Sequence, residues 1–393
     1  MLNESNKNIQ KIYCPLCSSK RLKEFYKQKN MPVHTNLIYN TYEKAISCTK
    51  SNILLNFCNN CGLIFNHSFD EKLLEYNKNY NNDQFSSDYY KNYINTNIKI
   101  LQDKHQIKNK KILEIGSGTG KYLKLFCKKT NSKGIGIDPA YKGEKEAENV
   151  SFISDYFSNK YSNIKADILI LRHILEHIEK PNHFLSHIIK NINTTKDLMV
   201  IIEVPDFEWI LRHNSYWDIT YEHCNYFTKD SLKNLLVLNQ IQVIDIFNVF
   251  QGQYIIIVGK FNKNLTNAEL VSEGYDMNII NFSRNVKIKK EEITRIIHQI
   301  KNNYFTVWGI SGKGVTFINM LDEKSKKRIP FVIDINNKKQ DKYVIGTGHR
   351  IVSPSLLVKE KLINDIIIMN PNYQSEISTQ LKSYGRKFNL IKI

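Results

Sequence analysis

Lys111-Ile-Leu-Glu-Ile-Gly-Ser-Gly-Thr-Gly-Lys121 decides the fold. Ile112 to Ile115 reads as a short buried strand, and Tyr122 to Cys127 carries the pattern of a helix. Between them Gly116, Gly118 and Gly120 form a turn whose backbone can come close to a ligand and take positive φ. A second strand, Gly134-Ile-Gly-Ile-Asp138, ends on an acid. That acid lies about 20 residues beyond the glycines, where a carboxylate accepts hydrogen bonds from ribose hydroxyls. Strand, glycine turn, helix, strand and acid make a nucleotide-binding unit and predict an α/β fold.

Further strands follow at Val150 to Ser154, Ala166 to Leu171 and Met199 to Val204. Asp155 closes the first of these, and Arg172 and His173 stand at the carboxyl end of the second, where ligands of such sheets bind. An acid two residues before the first glycine, with G-x-G-x-G in place of G-x-G-x-x-G, separates the turn from a nicotinamide-binding one. It resembles the class I S-adenosylmethionine-dependent methyltransferases. The resemblance implies that Glu114, Gly116, Gly118 and Gly120 line the cofactor's amino-acid part. It implies that Asp138 holds the ribose, that Asp155 contacts the adenine, and that Arg172 and His173 face the crevice. His173, Glu176 and His177 recur at helical spacing but lack the H-E-x-x-H order of a zinc hydrolase. They are read as hydrogen-bonding and packing residues.

After the fifth strand comes Trp217-Asp-Ile-Thr-Tyr-Glu-His-Cys-Asn-Tyr-Phe-Thr228, followed by a helix pattern over Lys229 to Leu238 with Thr228 as its N-cap. Glu222 and His223 are read as an acid–base pair beside the crevice, since methyl transfer needs a deprotonated acceptor. The alternative is a hydrogen-bonded pair that orders the loop.

Towards the N-terminus, Cys14-Pro-Leu-Cys17 and Cys58-Asn-Asn-Cys61 are two knuckles. Each places two thiolates on one side of a turn, and two knuckles complete a tetrahedral, structural zinc site. The gap between them predicts a loop or hairpin. Cys48, Cys127 and Cys224 read as plain thiols.

Towards the C-terminus, Ser283 to Lys301 is basic and helix-like, a link between domains. Phe305-Thr-Val-Trp-Gly-Ile-Ser-Gly-Lys-Gly-Val315 again reads strand, glycine turn, helix, with strands at Pro330 to Asp334 and Ile366 to Met369. Backbone N–H groups at Gly309, Gly312 and Gly314, with Lys313, suit a phosphate; the alternative is a tight structural turn without a ligand.

The chain has 393 residues, 41% hydrophobic and 24% charged, enough for a packed core and against disorder or coiled coil as the global answer. Fifty-six basic and 38 acidic residues give +18, which permits an anionic partner. The lysines are dispersed, without the basic face interleaved with aromatics that nucleic-acid binding needs. No apolar run reaches bilayer length, and Met1 to Gln10 lacks a signal-like apolar stretch, so a cytoplasmic protein without a membrane partner is expected.

Taken together, the knuckles, the methyltransferase core, the Glu-His-x-x-Tyr-Phe segment and the Trp308-Gly turn resemble the three-domain, zinc-containing C-methyltransferases of nucleotide-linked 4-keto-deoxysugars. That resemblance implies a zinc domain over 1–75, a cofactor-binding methyltransferase domain over 76–262, a helical linker over 263–300 and a smaller Rossmann-like substrate domain over 301–393. It assigns the acid–base step to His223 and Glu222. It assigns substrate contacts to Tyr80, Gln84, Tyr221, Gly312 and Lys313. The expected partner is a small nucleotide sugar, methylated on carbon beside its ketone through an enolate. There is one departure: the family's Tyr-His-Glu-His reads Thr220-Tyr221-Glu222-His223 here. O-methylation of a sugar or another small-molecule hydroxyl is therefore the alternative, and a nucleic-acid-directed methyltransferase a further one.

Overall fold

The computed structural model describes residues 12–74, 83–265, 269–272 and 276–393. Three sheets organise it. The first begins with β1 (Leu22–Pro32), β2 (Lys50–Cys58) and β3 (Ile64–Asn66), antiparallel in sequence order. The short helix Tyr42–Ile46 sits in the β1–β2 connection, so the gap between the knuckles folds as a hairpin with a helical insert.

The central sheet holds β4 (Lys111–Ile115), β5 (Lys133–Ile137), β6 (Glu146–Ala147), β7 (Val150–Ile153), β8 (Lys165–Arg172) and β9 (Asn193–Pro205). The chain then leaves it for β10 (Asn225–Tyr226) and returns with β11 (Ile241–Val249) and β12 (Tyr254–Phe261). The order is β11-β12-β9-β8-β4-β5-β7-β6. Strands β9, β8, β4, β5 and β7 run parallel, and β12 is antiparallel to β9. Central parallel strands are covered on both faces and therefore read as continuous apolar runs. Accordingly Leu113, Leu169, Leu171 and Val200 face one core, while Ile112, Ile168, Ile170 and Ile201 face the other. Order reverses between β4 and β8, which opens a crevice at their carboxyl ends.

Strand β10 does not join the central sheet. It pairs with β3, Asn225 opposite Phe65 and Tyr226 opposite Ile64, and completes the first sheet. The N-terminal segment thus takes its fourth strand from the residues directly after Glu222-His223.

The third sheet, β13 (Thr306–Trp308), β14 (Val332–Ile333), β15 (Ile351–Val352), β16 (Asp365–Ile368) and β17 (Asn389–Lys392), is parallel in the order β15-β14-β13-β16-β17. It is a second Rossmann-like unit with its own switch point between β13 and β16. The helix Asp276–Gln299 precedes it. It is more than a connector: Ile279, Phe282, Val286, Ile293 and Ile297 bury one stripe against Tyr26 and Phe207. Ile279 and Phe282 lie before the basic stretch that begins at Ser283, so the helix starts earlier than that stretch. Among the described residues no helix is long and apolar enough to cross a membrane.

Candidate active site

The glycine turn after β4 lies at the central switch point. A Cβ on Gly120, at φ 73°, would stand 2.5 Å from the Phe152 ring, so this glycine is required by packing. Gly118, at φ 54°, meets nothing within 4 Å, so its backbone borders open space where a ligand can lie. Its N–H donates to Asp138 Oδ2 at 2.8 Å, and the Ala140 N–H donates to Asp138 Oδ1 at 2.7 Å. The turn and the acid at the end of β5 are therefore held together. Glu114 is buried on β4, and its Oε2 has no partner among the described residues. Burial pushes its carboxyl up to about 8. Open space at Gly118, the fixed Asp138 and the orphaned Glu114 oxygen fit an S-adenosylmethionine placed along the turn.

Asp155, after β7, accepts from the Tyr161 hydroxyl at 2.6 Å and pairs with Lys160. These partners hold its carboxyl down at about 2. Arg172 is buried and donates from two nitrogens to Glu203, each at 3.0 Å, with its guanidinium 3.8 Å from the Tyr122 ring centre. His173 Nε2 lies 2.9 Å from the same carboxylate, and the Tyr93 hydroxyl donates to it at 2.8 Å. Glu203 is thus the hub beneath the crevice, and Arg172 is committed to it. His173 stands in the left-handed region at φ 51°. Burial alone would depress its pKa, but Glu176 and Glu203 prevail and raise it to about 9.

Glu222 and His223 are adjacent in sequence, but their side chains take different partners. Glu222 is buried, 3.1 Å from His34 Nδ1, and accepts from the Thr35 hydroxyl at 2.6 Å. These bonds overcome the burial cost and keep its carboxyl below the ordinary value. His223 packs edge-on to His177, with ring centres 4.9 Å apart. Its Nδ1 is buried without a partner among the described residues, and burial lowers its pKa to about 4. It is a neutral imidazole at pH 7. Tyr221 is fully buried; its hydroxyl accepts from the Asp70 N–H at 2.8 Å and donates to the Ser68 carbonyl at 3.3 Å. Thr228 caps the following helix, its hydroxyl accepting from the Ser231 N–H at 3.2 Å.

The C-terminal turn repeats the cofactor turn's construction. The Ile310 N–H donates to Asp334 Oδ2 at 2.9 Å, and the Asn336 N–H donates to Asp334 Oδ1 at 2.8 Å. A cleft of about 150 Å³ is lined by Gln84, Tyr254, Gly309, Lys313, Asp334 and Asn370, among others. Asp83, also on its wall, pairs with Lys121 at the start of the helix after the cofactor turn. Lys313 is held by Asp218 at 2.5 Å, and a Cβ on Gly312 would lie 3.8 Å from Thr35 Oγ1. Buried Lys339 donates to the Ile310 carbonyl at 2.7 Å. Tyr80 lies outside the described residues.

Cys14 and Cys61 Sγ are 3.5 Å apart, Cys17 and Cys58 Sγ 3.6 Å, and all four sulfurs lie within 4.8 Å of one another. Zinc–sulfur bonds of about 2.3 Å need tetrahedral edges of about 3.8 Å, so the cluster fits one ion.

The reading of the sequence missed Glu203, His34, Thr35, Asp334 and Lys339. Glu203 had a signal, an acid inside the apolar run of β9. His34 and Thr35 had none, because they reach Glu222 from the far end of the chain.

Residues 88–245 match a family described as a methyltransferase domain, and residues 264–389 match the C-methyltransferase C-terminal domain. No curated protein matches the chain. Solved structures similar to part of it include the 1,6-didemethyltoxoflavin-N1-methyltransferase of Burkholderia thailandensis, at 16% identity and TM-score 0.34, covering 45% of this chain and 82% of that one. The magnesium protoporphyrin IX methyltransferase of Synechocystis is 10% identical with TM-score 0.35, covering 44% and 84%. A SAM-dependent methyltransferase of Aquifex aeolicus is 13% identical with TM-score 0.32, covering 45% and 100%. A dinucleotide-binding sheet continues in parallel past its fifth strand, whereas here antiparallel β12 takes that place beside β9. The two family matches make the chain a methyltransferase, and the glycine turn with antiparallel β12 supports the class I, S-adenosylmethionine-dependent kind.

Proposed function

We propose that the chain methylates a nucleotide-linked sugar on carbon, beside a 4-keto group. The observation that carries this reading is the paired construction of the two glycine turns. Each is clasped by a strand-end aspartate, and the cleft at the second also includes Asp83, the partner of Lys121. One turn serves the cofactor; the other suits the phosphates and ribose of a nucleotide. The family match over 264–389 bears a C-methyltransferase name, which supports the same reading.

S-adenosylmethionine supplies an electrophilic methyl group on a cationic sulfur. The chain's residues bind, orient and deprotonate the acceptor. Gln84, Gly312 and Lys313 stand along the nucleotide's path. The Glu222–His223 pair supplies the base that takes the single proton from the carbon next to the ketone, leaving the enolate to accept the methyl group. The four cysteines hold a structural zinc ion. That ion acts on the chemistry at one remove, because the sheet it anchors includes β10, two residues beyond His223.

O-methylation is the second reading. It is favoured by Tyr221, whose hydroxyl is spent on the backbone of Ser68 and Asp70, and by Thr220 in the place of a tyrosine.

A methyl-labelled cofactor offered with nucleotide sugars, with and without a 4-keto group, and with total RNA tests the assignment by mass. Gain of one labelled methyl only on 4-keto sugars is expected. Gain only on hydroxyl sugars establishes the second reading, and labelling of RNA alone overturns both.

A further inference from the structure

We propose that Glu176, His177 and His223 form a second metal centre, distinct from the four cysteines, which holds a divalent first-row transition cation against the acceptor. One carboxylate oxygen and one nitrogen from each ring lie within 4.8 Å of one another. A cation with bonds of about 2.1 Å needs tetrahedral ligand edges of about 3.4 Å. The longest separation therefore exceeds that edge by at most about 1.4 Å. Two imidazoles and a carboxylate are the donors that such ions take while keeping positions open for a substrate.

Two polar atoms here lack partners among the described residues. Glu176 Oε2 is buried on a residue that is 2% exposed, and His223 Nδ1 is buried as well. A buried carboxylate oxygen left without a partner is costly, and such groups normally have one. A cation at this point satisfies both.

The surroundings have the form of an outer shell. His177 donates from Nδ1 to the Glu222 carbonyl at 2.9 Å, which fixes its tautomer and makes Nε2 the ligand atom. Glu176 Oε1 lies 3.4 Å from His173 Nδ1, whose other nitrogen is on Glu203. The Cys224 thiol donates to the Glu176 carbonyl at 3.4 Å and pins the turn to the loop that carries His223.

By spacing alone His173, Glu176 and His177 suit hydrogen-bonding and packing roles. Leu175–His177 is a single 3-10 turn, so the three do not share a helix face. His173 turns to Glu203, and the third donor comes from His223.

The role of the cation rests on the methyltransferase reading; its binding does not. Through its open positions it binds the acceptor's carbonyl or hydroxyl oxygen as a Lewis acid. His223 is then a ligand, and Glu222 is the remaining proton acceptor of the pair.

The test is a cobalt(II) titration of the full chain with its cysteine site already filled with zinc, followed by absorption and metal content. We expect one additional cobalt per chain, with ligand-field bands and no sulfur-to-cobalt charge transfer. Glu176→Gln and His223→Gln, made separately, should each weaken it about tenfold or more, while S-adenosylmethionine affinity stays within about twofold, the control for folding. No additional cobalt, cobalt with thiolate charge transfer only, or equal binding by both variants overturns the proposal. Cobalt bound as expected by a chain that methylates no sugar supports the site and overturns the substrate reading instead.

Discussion

His34 Nδ1 stands 3.1 Å from the carboxylate of Glu222, 188 positions further along the chain. Thr35 donates to the other oxygen. The N-terminal segment therefore reaches the turn that carries Glu222 and fixes its carboxylate from both oxygens. His34→Ala and Thr35→Val should each lower kcat about tenfold, the worth of one charge-assisted hydrogen bond of about 1.5 kcal/mol. Cofactor affinity should not change. Steady-state kinetics with calorimetric titration of S-adenosylmethionine separates the two. Loss of cofactor affinity in parallel with kcat would mean that these residues act only by holding the fold.

The two glycines of the cofactor turn should fail in different ways. Gly120→Ala drives a Cβ into Phe152 and should cost about 1–3 kcal/mol of stability, in addition to the backbone strain at positive φ. Gly118→Ala has open space and pays only the left-handed backbone cost of about 1 kcal/mol. It should keep the fold and weaken the cofactor. Urea unfolding and cofactor titration check both.

Glu114 gives a pH signature. Its folded pKa, raised to about 8 from 4.5, means that the unfolded chain ionises first. Between pH 4.5 and 8 this residue costs stability, by at most about 5 kcal/mol at 1.36 kcal/mol per unit. Below pH 4.5 both states are protonated and the cost vanishes. Glu114→Gln should be more stable than wild type at pH 8 and equal to it at pH 4. Equal stabilities at pH 8 would show that Glu114 is ionised in the folded chain.

Chelating the zinc proposed for the cysteine cluster should abolish turnover before it abolishes cofactor binding. The cluster packs beside β3, and β3 holds β10 directly after His223. The Cys61 carbonyl accepts from Asn234 at 3.0 Å, a further tie to this region. A chelator series followed by zinc content, turnover and S-adenosylmethionine affinity should show turnover falling with zinc. Full turnover in zinc-free protein would contradict the linkage.

Local pattern made much of this legible. The glycine turn, the strand-end Asp138, the apolar strands on either side and the Thr228 cap are short-range features, and each reads directly from composition and spacing. So do the cysteine pairs, because two C-x-x-C knuckles are the spacing that brings four thiolates to one tetrahedral site. What did not read was contact between distant segments. Glu222 and His223 look like one pair because they are neighbours; the turn that carries them, closed by the His223 N–H on the Thr220 carbonyl, sends their side chains to different partners. Arg172 looked like a ligand residue at a strand end, and the acid that claims it, Glu203, sits one strand away. The helix Asp276–Gln299 hid its apolar stripe because charged residues fill the positions between, which is how a helix with one wet face is built.

The most direct test is deuterium exchange into a 4-keto nucleotide sugar, incubated in heavy water with the protein and S-adenosylhomocysteine. With no methyl group to transfer, only the proton-abstraction step can proceed. The account predicts exchange at the carbon beside the ketone, slowed about 10²–10⁴-fold in Glu222→Gln. Absence of exchange by the wild-type protein, with methyl transfer to a sugar hydroxyl intact, would contradict it.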